Sequence, residues 1–138
     1  MSRQEAVEQY NRALRQGRKC YKDCVLRGRY PYPQVLDEIL SESMVAGQVD
    51  LGVIEIPTDR VTGTKTTGRR SSFAADFMPL LDHDTEFATK WMDLCQAHLE
   101  EGVRDPIRCY EYMGRFYVQE GNKRVSVLKS YSAPTIPA

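Results

Sequence analysis

No apolar run in this sequence approaches the roughly 20 residues needed to span a bilayer. The N-terminus also lacks the apolar core of a signal peptide. Together these absences point to a cytoplasmic protein with no membrane partner. Net charge is missing too, because 19 lysines and arginines balance 19 aspartates and glutamates. Proteins that grip nucleic acid without sequence preference are usually basic overall, so DNA is not the favoured partner. Histidine is scarce, with only His83 and His98. The cysteines Cys20, Cys24, Cys95 and Cys109 do not fall into a common zinc spacing, so no metal site is expected from them. In a reducing compartment they read as free thiols packed among apolar neighbours.

At 138 residues, 41% of them hydrophobic and 28% charged, the chain has ordinary globular composition. It is long enough for one domain, or one domain with an appendage. Charge is unevenly placed along it. Residues 1–30 carry eight bases against three acids, and residues 82–120 carry nine acids against four bases. The two segments either attract each other or form separate solvated faces.

Residues 3–26 have helical periodicity, with Val7, Leu14 and Tyr21 repeating every seven. Gly28 to Pro33 breaks the pattern. A second helix is then expected, with Val35, Leu36, Ile39 and Leu40 on its apolar face and its end by Gly47. Residues 1–48 therefore read as an α-helical hairpin that either packs on the rest of the domain, or mediates a homodimer or contacts another partner. Residues 49–138 read as an α+β domain with a small mixed sheet. A strand is expected over 51–57, centred on Val53 and Ile54. Residues 58–72 read as a long polar loop carrying Lys65, Thr66, Gly68, Arg69 and Arg70, a composition that suits phosphate oxygens. No Gly-Lys-Ser/Thr closes it, so it is not a P-loop.

A helix from Thr85, its expected N-cap, to about Glu101 carries Phe87, Trp91, Leu94, Cys95 and His98 at helical spacing, with Gly102 at its end. His98 on that stripe reads as a packed structural histidine. Strands are expected over 107–113 and 116–119, with a turn at Gly114-Arg115. Glu120-Gly121-Asn122 then turns the chain into a helix with Val125, Leu128 and Tyr131 on one side. A strand that runs through a glycine turn into a helix gathers free N–H groups and a positive helix end at one point. Lys123 and Arg124 in the first turn oppose the dipole unless an anion sits nearby. The alternative is that both are solvated surface charges. Thr135-Ile-Pro-Ala138 reads as the start of one more strand, and a further C-terminal domain is expected to follow it.

The order of elements, with Tyr117-Val-Gln-Glu-Gly-Asn-Lys-Arg-Val-Ser-Val-Leu-Lys129 and Thr135-Ile-Pro137, resembles the ParB/sulfiredoxin superfamily. In that superfamily a strand leads into Gly-x-x-Arg at a helix start, here Gly121-Asn122-Lys123-Arg124. With Ile56-Pro57 and Gly63-Thr64-Lys65 upstream, the run is also similar to the ParB-like domain of some Firmicutes multidomain proteins. The resemblance covers about residues 51–138 and implies a nucleoside triphosphate with Mg²⁺ as the ligand. Phosphates would sit on the N–H groups of Gly121 to Lys123, and Arg124 would clamp them. Lys65, Arg69 and Arg70 would close over them, with Thr66 and Gly68 in the same loop.

The branches of the superfamily imply different chemistry. Sulfiredoxins carry a reactive cysteine within this turn, where the present chain has Asn122, so their activity is not expected. ParB proteins bind cytidine triphosphate and read DNA with a separate helix-turn-helix that does not follow here. A third branch phosphorylates free serine. Glu120 occupies an acidic position before the glycine, which implies magnesium binding or general-base work in phosphoryl transfer or hydrolysis. Glu120 capping Lys123 or Arg124 is the competing role. The alternatives to a nucleotide-binding domain are a DNA-associated adaptor and an inactive sensory or interaction module.

Overall fold

Small residues at helical spacing decide how the first helix docks. The structure, a computed structural model, describes residues 2–40, 47–68, 70–102 and 105–138. Helix α1 (Ser2–Leu26) buries Ala6, Gln9, Tyr10, Ala13, Leu14 and Gly17. The buried stripe is offset from the one Val7 suggested, and Val7 is exposed. Gly17 sets the contact distance, since a Cβ there would stand 2.3 Å from the Pro79 carbonyl oxygen. The roughly 1 kcal/mol that a mid-helix glycine costs relative to alanine is offset by that close approach.

Helix α1 is followed by a strand rather than a second long helix. Gln34–Val35 form β1, and the helix after it, α2, spans only Leu36–Ile39 before Leu40 becomes extended. The remainder of the expected second helix, residues 41–46, lies outside the described residues. The cause is a non-local pairing. Strand β1 runs parallel to β3 (Val61–Thr64), with Gln34 opposite Gly63 and Val35 opposite Thr64. A Cβ at Gly63 would lie 2.3 Å from the Gln34 carbonyl oxygen and 2.7 Å from Tyr117 Cδ1. A glycine therefore lets both neighbouring strands close on β3, and Val35 and Leu36 are buried there.

That pairing also corrects the long loop expected over 58–72. Its polar, threonine-rich sequence holds a 3₁₀ turn at Thr58–Arg60 and then β3, which is an interior strand of the main sheet. The irregular part begins only at Lys65. Sheet order is β1-β3-β5-β4, where β4 is Arg108–Tyr112 and β5 is Arg115–Glu120. β3 and β5 are parallel, whereas β4 and β5 form an antiparallel hairpin. Met113 and Gly114 both have positive φ at its turn, as a type I′ connection requires. The upstream strand β2 is confined to Glu55–Pro57 and leaves Val53 73% exposed. It pairs with β6 (Thr135–Pro137) in a separate two-stranded antiparallel sheet.

Helix α3 (Glu86–Glu100) begins as its sequence indicates, with the Ala88 N–H donating to Thr85 Oγ at 3.1 Å. It packs Trp91 edge-on against Tyr10 of α1, centroids 5.2 Å apart. Helix α4 (Asn122–Ser130) divides the interior and is buried all round at Val125, Ser126, Val127 and Leu128. Val125 and Leu128 join Ile56, Phe116, Val118 and Ile136 on the sheet side. Val127 joins Tyr10, Phe73 and Trp91 on the side of α1 and α3. Across that second boundary the Trp91 indole N–H donates to Ser126 Oγ at 2.8 Å, fully buried. The architecture is thus α+β, with a small mixed sheet and an N-terminal helix. Helix α1 shares one core with α3, Phe73, Met78 and Val127, and strand β1 is paired into the main sheet through β3. Among the described residues no helix is long and apolar enough to cross a membrane.

Candidate functional site

Three parallel strands fix where the loops gather. β1, β3 and β5 point the same way, so α2, the segment after Thr64 and the Gly121 turn all leave one edge of the sheet. The carboxyl edge of parallel strands is where open α/β sheets receive ligands. At the end of β5, Gly121 has φ 106°, a left-handed conformation that side chains rarely adopt. A Cβ at this position would also stand 2.6 Å from Ile107 Cγ2, so glycine is required twice over.

Helix α4 starts from this turn with no side-chain cap and no acid in its first turn. The Val125 N–H donates to the Gly121 carbonyl at 2.9 Å, which closes the first helical bond and leaves the earlier N–H groups directed outward. In front of them is a cavity of about 460 Å³, lined by Gly121 to Arg124 on one side and by Phe73, Phe87, Lys90, Asp93 and Leu94 on the other. Phe73 and Phe87 meet edge to face at 5.2 Å. The Lys123 ammonium lies 5.3 Å from the Phe87 ring centre. Asn122 Oδ1 is buried without a hydrogen-bond partner. Arg124 Nη1 donates to the backbone carbonyls of Asp105 and Pro106 at 3.3 and 3.2 Å. Asp93 pairs with Arg3 at 2.8 Å, and Lys90 pairs with Glu86 at 2.9 Å.

The expected residues divide into two groups. Gly121, Asn122, Lys123 and Arg124 are brought together in the cavity wall. Lys65 is elsewhere along the sheet edge, ion-paired with Asp37 and 5.4 Å from the Tyr110 ring centre. Thr66 and Gly68 are exposed, and neither lines the cavity. Arg69 and the side chain of Arg70 lie outside the described residues. Glu120 is exposed at the last position of β5, opposite Arg108, and is not part of the wall. No group of three or more His, Cys, Asp or Glu that could hold a metal ion occurs among the described residues.

Phe73, Phe87, Lys90, Asp93 and Leu94 were not marked as site residues by sequence. The last four recur at helical spacing on α3, but nothing local shows that this face meets the start of α4.

Cys20, Cys95 and Cys109 are poor nucleophiles. All four cysteines are free. Burial, then the Asp76 carboxylate, pushes the Cys20 thiol up to about 11. Burial raises Cys95 and Cys109 as well. These groups stay protonated at neutral pH, and the protonated thiol is unreactive. His98 packs its ring 5.2 Å from that of Tyr131, in keeping with a structural role.

No family model, curated protein or solved structure matches the chain. The chemistry of the cavity has to be read from its walls.

Proposed function

We propose that the chain is a nucleotide- or phosphate-binding domain of ParB/sulfiredoxin type, with the cavity at the head of α4 as its binding site. The observation that carries this reading is the meeting of three cations, Lys90, Lys123 and Arg124, with an uncapped helix start in one cavity of about 460 Å³. Two bases in a first turn act against the helix dipole at about 0.3–1 kcal/mol each. A bound phosphate reverses the sign of that interaction and accepts from backbone N–H groups of the uncapped first turn. Phe73, Phe87 and Leu94 provide an apolar wall for a flat ring beside the phosphate. Asn122 Oδ1, an acceptor buried without a donor, calls for an O–H or N–H group on the ligand. A nucleoside phosphate supplies all three features.

The reading is one of binding first. Asp93 is the carboxylate in the wall, and it is engaged with Arg3. Phosphoryl transfer or hydrolysis would need Glu120 to turn from solvent into the cavity. Thermal-shift titrations with ATP, ADP, CTP and GTP, each with and without Mg²⁺, test the proposal. Binding to the folded state raises the melting temperature by mass action. The expected result is a rise of several degrees with at least one nucleotide, lost in Arg124→Ala. No rise with any nucleotide, or an equal rise in Arg124→Ala, overturns it.

A further inference from the structure

A further cavity beside α1 shares no lining residue with the one at the head of α4. On the outward face of α1, opposite the buried stripe, Arg12, Arg15, Lys19 and Lys22 are all exposed. At helical rise this row is roughly 15 Å long, with no acid on the same face between its ends. It runs into the exposed tip Val25-Leu26-Arg27-Gly28-Arg29-Tyr30, where Leu26 is 84%, Val25 53% and Tyr30 45% exposed. At the foot of the tip a cavity of about 310 Å³ is lined by Lys19, Arg27 and Arg29 together with Asp23 and Asp76.

Three kinds of partner use a cationic row. Nucleic acid would engage the bases, but it has no use for Val25 and Leu26 and is repelled by Asp23 and Asp76. An acidic protein segment meets the same two carboxylates. A bilayer surface uses every part. Aliphatic tips enter the headgroup boundary, a tyrosine suits that depth, and arginines reach back to phosphates. The pair of carboxylates among three cations matches a headgroup that carries a primary ammonium beside its phosphate.

We propose that the C-terminal half of α1 and the tip at residues 25–30 form a docking surface for an anionic bilayer, with the adjoining cavity taking an amine-bearing, phosphatidylserine-like headgroup. This goes beyond the nucleotide reading and is independent of it. The long apolar face of α1 stays packed on α3, so the contact is electrostatic adsorption with a small apolar anchor, reversible and weakened by salt.

The test is co-sedimentation of the full chain with vesicles of phosphatidylcholine alone, with added phosphatidylglycerol, or with added phosphatidylserine. Binding is expected with phosphatidylserine, more weakly with phosphatidylglycerol and not with phosphatidylcholine. The double variant Lys19→Gln/Lys22→Gln should lower partition roughly fivefold for each charge removed. Leu26→Ser should lower it at high salt as well as at low salt. Both variants change exposed residues, and unchanged melting curves establish that they fold. Absence of sedimentation at low salt, equal binding to the two anionic lipids, or tighter binding to duplex DNA than to vesicles would each overturn the proposal.

Discussion

At the C-terminal end of α4 every exposed demand of the helix is met by the protein itself. Gln9 Nε2 donates to the Ser130 carbonyl at 3.0 Å and to Ser130 Oγ at 3.1 Å. Lys129, a base where the dipole favours one, donates to the Thr58 carbonyl at 2.9 Å. At the N-terminal end the same helix has no cap, two bases against the dipole, and an open cavity. Residues at the first end join the helix to α1 and to the turn after β2. Residues at the second line an open cavity around a helix start without a side-chain cap. The contrast separates a self-satisfied end from the end where binding is proposed.

The largest effect is expected at Gly121, which holds the head of α4 in place. Gly121→Val combines a left-handed residue, about 1–2 kcal/mol, with a clash against Ile107, about 1–3 kcal/mol. A loss of roughly 2–5 kcal/mol is expected in urea unfolding. A loss below 1 kcal/mol would mean that the turn relaxes easily. Next is Ser126→Ala, which strands the buried Trp91 N–H and should cost about 1–3 kcal/mol. Because Trp91 is the chain's single tryptophan, its emission should shift in the same variant. Gln9→Ala removes the bonds that close the tail of the helix and should cost about 1–2 kcal/mol with no effect on ligand binding. A matching fall in affinity would show that the two ends are not separable.

The smallest effect concerns pH. The Cys20 thiol lies at about 11 when folded against its ordinary 9.0, so folding favours the protonated form. Its contribution is fully present below pH 9 and fades as pH rises from 9 towards 11. Cys20→Ala should flatten that part of the stability curve, and an unchanged slope would assign it to other groups.

What could be read from sequence follows from how local each signal is. Helix α3 declared both ends through Thr85 and Gly102, and the hairpin of β4 and β5 through alternation and a glycine. The passage from β5 through Gly121 into α4 was equally plain, and it contains the four predicted residues that the cavity wall does hold. Strand β3 was hidden because Val61-Thr-Gly-Thr64 is polar and glycine-containing, yet it lies in the sheet interior where Gly63 admits two neighbours. At strand β1, Val35 and the following Leu36 fit a helical stripe in sequence, and only pairing with Gly63 and Thr64 makes the segment a strand. Lys65 had the right chemistry for a phosphate clamp, but its partner Asp37 is set by that same unseen pairing.

Whether the head of α4 binds a phosphate-bearing ligand is decided by amide spectra of isotope-labelled protein during nucleotide titration. The largest shifts are expected at Gly121, Asn122, Lys123 and Arg124, with a smaller one at the Trp91 indole on the neighbouring helix. Absence of shifts at these four residues, or shifts centred on Lys65 to Gly68 instead, would contradict it.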